Sequence, residues 1–111
     1  MESVLTSIKK LLGITKEYEQ FDQDIIMHIN SVLMTLEQLG IHVSKLVKSV
    51  DDTWYDIVDE SEGKFGSAIK SYIYLKVRLL FDPPTSSVVT EAINRQISEL
   101  EWRLNVSSDK G

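Results

Sequence analysis

Apolar residues fall into periodic stretches along this 111-residue chain, separated by segments with neither a helical nor a strand repeat. Val4, Leu5, Ile8, Leu11 and Leu12 recur at helical spacing, which predicts a short first helix over 3–12. Ser3 stands where an N-cap belongs and Gly13 where a helix ends. Residues 14–21 have no clean period and read as a connector, with Tyr18 and Phe21 available to pin it to the core. Ile25, Ile26, Ile29, Val32, Leu33, Leu36 and Leu39 then gather in an arc of about 140° on a helical wheel. Asp22 is the candidate N-cap of this second helix and Gly40 its terminator. Met27 and Met34 face the other way. They are either scattered exposed methionines or a second packing surface used in assembly.

The third helix is predicted over Ser67–Phe81. Ala68, Ile69, Tyr72, Ile73, Leu75, Val77, Leu79 and Leu80 spread over about 200°, the width of a central helix that touches several others. Lys70, Ser71, Tyr74 and Arg78 make its polar arc. Lys76 falls inside the apolar arc, so it either snorkels to water or enters a buried or inter-subunit ion pair. Asp82-Pro83-Pro84 ends the helix, because proline lacks a backbone donor and pushes its predecessor out of helical geometry. Thr85, Ser86 or Ser87 can cap a fourth helix. Val89, Ile93, Ile97, Leu100 and Leu104 keep within about 80° on it, the narrow stripe of a helix laid on the outside of a bundle. Glu91, Arg95, Glu99 and Arg103 form i,i+4 pairs along its charged side. Trp102 lies off the stripe, either folded over an edge of the core or anchoring a partner subunit.

Between the second and third helices the pattern weakens. Residues 41–50 read as an extended loop, with a short strand or hairpin as the alternative. Residues 51–62 hold six acids and no base: Asp51, Asp52, Asp56, Asp59, Glu60 and Glu62. Trp54, Ile57 and Val58 among them share one face of a short amphipathic helix, and Gly63 and Gly66 punctuate the chain before the third helix. The reading is an all-α domain over 1–106, a small bundle of about four helices with a long irregular excursion between helices 2 and 3. Residues 107–111 read as a disordered tail.

Composition narrows the function classes. Hydrophobic residues at 42% and charged residues at 26% are ordinary for one globular domain. With no cysteine, disulfides and thiolate metal sites are excluded. The opening residues lack the layout of a signal peptide, and no apolar run reaches about 18 residues. A soluble protein made in the cytoplasm, with no membrane partner, is therefore expected. A net charge of −5 has the wrong sign for gripping a phosphate backbone, though it suits a protein that surrounds nucleic acid without holding it.

Catalytic chemistry is not legible. His28 and His42 lie on different elements without a metal-ligand spacing. No phosphate-binding glycine loop and no nucleophile elbow occurs. The acids at 51–62 lack calcium-loop spacing and read as a solvated face. The expectation is a non-enzymatic chain with no catalytic residue, metal or cofactor.

The run YIYLKVRLLFDPPTS (72–86), followed by EWRLNV (101–106), resembles the head–tail connector proteins of long-tailed bacteriophages and prophages. These are also called head-completion or DNA-packaging adaptor proteins. The LLGI that ends the first helix and YEQFDQDIIMHINSVLMTLEQLGI (18–41) are similar to the start of the same proteins. Residues 42–66 match least. The resemblance implies a virion assembly protein at the head–tail junction, present in the host cytoplasm during assembly. Its subunits would form a ring beneath the portal protein, following the portal's twelvefold symmetry. The ring extends the channel for passing DNA, without sequence-specific binding, and offers a docking surface to a neck or tail-completion protein. A head-to-tail ring needs two different side surfaces. The candidates are Lys70, Tyr74 and Arg78; Trp102 with the charged flanks of its helix; and Met27 with Met34. The acids Asp51, Asp52, Asp56, Asp59, Glu60 and Glu62 are candidates for the channel or its rim, where negative charge would let DNA slide. The competing reading is a small helical phage regulator that binds DNA or a repressor protein, and a generic acidic partner-binding domain is a third. A DNA-reading helix needs several exposed basic residues, whereas the third helix is mostly apolar.

Overall fold

Wherever the apolar pattern is one-sided, the chain is helical. The computed structural model describes residues 2–58 and 63–110, with the side chains of 63–65 and 106–110 left aside. The helices are α1 (Val4–Leu11), α2 (Asp22–Gln38), α3 (Trp54–Ile57), α4 (Gly63–Phe81) and α5 (Ser87–Lys110). The described residues form no strand, only an isolated antiparallel bridge between Ser3 and Thr53. The fold is all-α, as the periodicity predicts. No described helix is long and apolar enough to cross a membrane.

The ends of the helices follow from local chemistry. Ser3 caps α1, its hydroxyl accepting the Thr6 N–H at 3.2 Å. Gly13 and Gly40 close α1 and α2 with φ of 83° and 99°, a left-handed geometry that glycine enters without a Cβ clash. Ser86 starts α5, its hydroxyl accepting from the Val89 N–H at 3.4 Å. α2 departs from expectation. Phe21 precedes it without a side-chain cap, and Asp22 is its first helical residue. The carboxylate of Asp22 is drawn away toward Lys9, 2.8 Å from the ammonium.

α4 begins at Gly63, so Gly63 and Gly66 lie inside the helix rather than before it. A glycine costs only about 1 kcal/mol in a helix interior, an amount that tertiary packing readily outweighs, and Gly66 is buried. α5 continues to Lys110, through the residues expected to form a tail and past its last buried stripe residue, Leu104.

α4 is the central helix, packed against α2 on one side and α5 on the other. Ile69, Tyr72, Ile73 and Val77 from α4 are buried with Ile25, Ile29, Val32, Leu33 and Leu36 from α2 and Ile93, Ile97 and Leu104 from α5. The buried Tyr72 hydroxyl donates to Glu101 on α5 at 2.7 Å. Burial and this carboxylate together push the phenol's pKa well above its ordinary value. Three stripe residues miss the core. Leu11, Leu80 and Val89 are exposed, and each sits in a terminal turn of its helix. Leu80, at 52% exposure, is therefore not the core residue that its place on the wheel suggests.

The excursion at 41–58 is irregular but tightly bound. Asn30 on α2 grips residue 47 like a strand partner: its amide donates to the Val47 carbonyl at 2.9 Å and accepts the Val47 N–H at 2.8 Å. The Ser44 N–H donates to the Ile57 carbonyl, the Val4 N–H to Asp52 and the Trp54 N–H to Glu2. Trp54, Ile57 and Val58 are buried, as the amphipathic reading of α3 requires. The Trp54 indole N–H donates to the Ser7 hydroxyl at 2.9 Å, and Ser7 donates in turn to the Ser3 carbonyl at 2.7 Å.

Lys9 was not legible as an interior residue. It is 2% exposed, and its ammonium donates to the carbonyls of Lys16 at 3.1 Å and Tyr18 at 2.7 Å. Asp22 lies close by, off the line of a hydrogen bond. A buried charge persists when it is paired and its donors are used, and this one clasps the connector to both α1 and α2.

Candidate assembly surfaces

Trp102 stands on α5 diametrically opposite the buried stripe. It is 68% exposed. At helical spacing, Glu91, Arg95 and Ser98 lie along the same outward face, with the exposed Val88 near its start. Arg103 and Glu99 pair beside them. Trp102 therefore does not fold over the core edge.

Met27 and Met34 are both exposed on the outer face of α2, about 10 Å apart along the helix. Beside this face runs a groove of about 260 Å³ between α2 and the end of α4, lined by Ser31, Val32, Thr35, Lys76, Leu79 and Leu80. Lys76 is half-buried there, its ammonium 5.9 Å from the centre of the Tyr72 ring. Its charge thus lies toward an aromatic face within the subunit.

The polar arc of α4 is engaged within the subunit. Lys70 places its ammonium 5.4 Å from the centre of the Trp54 ring, and Arg78 donates to the Tyr74 hydroxyl at 3.3 Å. Lys70, Tyr74 and Arg78 are half-buried, and Ser71 is exposed.

The acids divide by role. Asp51 is exposed. Asp52 turns inward: its carboxylate accepts the Lys48 N–H at 2.7 Å and the Ser49 N–H at 3.2 Å, and it pairs with Lys45 at 2.6 Å. The Lys45 hydrogen bond, followed by the Lys48 N–H, holds Asp52 below the usual carboxylate range, and the same contact raises Lys45. Asp52 is thus a fold-forming residue and is not available to a channel surface. Asp56 closes a capping box, accepting the Thr53 N–H at 3.1 Å while Thr53 accepts the Asp56 N–H at 3.3 Å. These two Thr53 contacts lower its pKa, the backbone one more. Asp59, Glu60 and Glu62 lie outside the described residues. Among the described residues no group of three metal-ligating side chains comes together.

What the described residues present is a polar-stitched helical scaffold with large side chains displayed on α2 and α5. A family described as phage connector protein matches residues 4–111. The chain belongs to the phage connector family. Its match spans nearly the whole sequence, including residues 42–66, where the resemblance seen from sequence was weakest. Membership makes it a structural component of a phage, in keeping with a non-enzymatic reading. No curated protein and no solved structure gives a significant match to the chain.

Proposed function

We propose that this connector is the subunit of a ring that sits beneath the portal, extends the DNA channel and joins the head to the neck or tail. The family match over residues 4–111 carries the reading. The displayed side chains support it. A head-to-tail ring uses two unlike surfaces on each subunit. Trp102 on α5 and the Met27/Met34 face of α2 are unlike, exposed and on different helices. Portal and neck or tail-completion proteins are the axial partners. Asp51 and Asp56, exposed on the excursion, are the acids proposed to face the channel or its rim, where they would repel passing phosphates rather than bind them.

Co-assembly with the cognate portal, imaged by electron microscopy, tests this. The expected result is a closed ring in register with the portal, with the excursion toward the lumen. Failure to bind any portal-containing capsid overturns the reading. A ring with Asp51 and Asp56 on its outer circumference removes the channel role of these acids and leaves the joining role standing.

A further inference from the structure

At the end of the bundle where α2 begins and α4 stops, side chains from three segments meet in an aromatic chain. The ring centres of Tyr18 and Phe21 are 5.6 Å apart, those of Phe21 and Phe81 5.3 Å, and those of Phe81 and His28 6.5 Å. None of the four is buried, and Tyr18 is 45% exposed. Leu80, next to Phe81, continues the patch into the groove along Val32 and Leu79. Contiguous exposed aromatic and aliphatic surface of this kind marks an interaction site more often than a single exposed side chain does.

The charges around the patch are one-sided. Glu17, Glu19, Asp24 and Asp82 are exposed. Glu19 lies between the two connector aromatics, Asp24 is one helical turn before His28, and Asp82 follows Phe81. The nearby cations are mostly committed: Lys9 is buried in its clasp, Arg78 donates to Tyr74, and Lys76 lies over Tyr72. Lys16 is the exposed base on the connector.

We propose that this acid-rimmed aromatic patch docks a segment of another protein that presents an aromatic or aliphatic anchor flanked by arginine or lysine. The anchor would lie against Phe21, Phe81 and Leu80. Flanking guanidiniums would reach the carboxylates and the faces of the half-open rings, which attract cations. The same carboxylates repel a phosphate backbone, so the occupant is a polypeptide. A second copy of this chain fits less well, because beside its exposed Trp102 the Arg103 guanidinium is paired with Glu99 and Glu91 stands one helical turn from Arg95.

The inference does not depend on ring formation and is tested on the isolated full chain. A random twelve-residue peptide library displayed on yeast is selected against the purified protein. Enriched peptides should pair an aromatic or aliphatic residue with at least two arginines or lysines. Their binding should fall about tenfold or more for the double variant Asp24→Lys/Asp82→Lys, which alters only exposed rim positions, and for Phe21→Ser. Circular dichroism checks that both variants stay helical. Three outcomes overturn the proposal: no enrichment, enrichment of acidic or uncharged peptides, or binding that survives the double variant. Sedimentation that finds a dimer dispersed by Phe21→Ser assigns the patch to a second copy and overturns it as well. Failure of portal co-assembly alone would remove the ring reading and leave this one intact.

Discussion

The excursion at 41–58 and helix α5 flank the same α2–α4 core and are held to it by opposite means. The excursion has little repetitive hydrogen bonding of its own. It depends on particular polar partners: Asn30 for Val47, Asp52 for the turn at 48–49, Ser7 for Trp54. α5 satisfies its own backbone and rests chiefly on a stripe, Ile93, Ile97 and Leu104, with a part-buried hydrogen bond from Tyr72 and an exposed one from the Asn105 amide to the Leu39 carbonyl. The first should fail when a polar partner is removed. The second should fail only through its apolar face and should tolerate almost anything on the other.

Trp54→Ala is the severest test. It empties a fully buried indole site and removes the hydrogen bond that Ser7 accepts, and should cost about 3–5 kcal/mol in denaturant unfolding. A loss below about 1 kcal/mol would mean that the excursion is not part of the cooperative unit. Ile97→Ala should follow, with a loss of about 2–4 kcal/mol from a cavity beneath α5. Asn30→Ala comes next, at about 1–3 kcal/mol, because it leaves the Val47 N–H and carbonyl without their partner. Equal tolerance of Asn30→Ala and a surface substitution on α5 would erase the contrast between the two regions.

Acid should separate the regions in another way. Asp52 and Asp56 have folded pKa values below those of the unfolded chain. Their contribution is therefore present above the unfolded carboxylate value of about 4 and is lost as pH falls through the lowered folded values. Stability measured between pH 5 and 2 should decline, and Asp52→Asn should flatten that decline. An unchanged slope would show that Lys45 and the Lys48 N–H do not hold the carboxylate in solution. The smallest effect belongs to Trp102→Ala, which should stay within about 0.5 kcal/mol of the parent while weakening assembly with the portal. A monomer loss of several kcal/mol would turn Trp102 into a core residue.

This contrast also explains what could be read in advance. A helix that buries one face writes its stripe into local spacing, so α2, α4 and α5 were legible, and Trp102, Met27 and Met34 stood out as large residues off the stripe. Of the excursion, only the one-sided turn carrying Trp54, Ile57 and Val58 was legible; its anchors were not, because they are remote: Asn30 meets Val47, and Trp54 meets Ser7 across most of the N-terminal half. Six acids within residues 51–62 look alike until one of them, Asp52, turns inward to hold a turn. The aromatic patch was hidden for the same reason, since Tyr18 and Phe21 sit in an aperiodic connector and meet Phe81 only in the folded chain. Lys9 carried no sign beyond its place one turn after Leu5.

The double proline at Pro83-Pro84 acts mechanically as the pivot of a lever. α5 leaves this joint as a rigid rod, so Trp102 rides about 23 Å from the pivot. A change of about 10° at the joint would sweep the indole through roughly 4 Å, comparable to the spacing between neighbouring side chains on a helix. Two prolines with restricted φ make such a swing costly, and the Tyr72–Glu101 bond fastens the rod near its far end. If the chain forms the proposed ring, a small angular error repeated at every subunit would leave a gap, so a stiff joint would keep the subunits at one common angle.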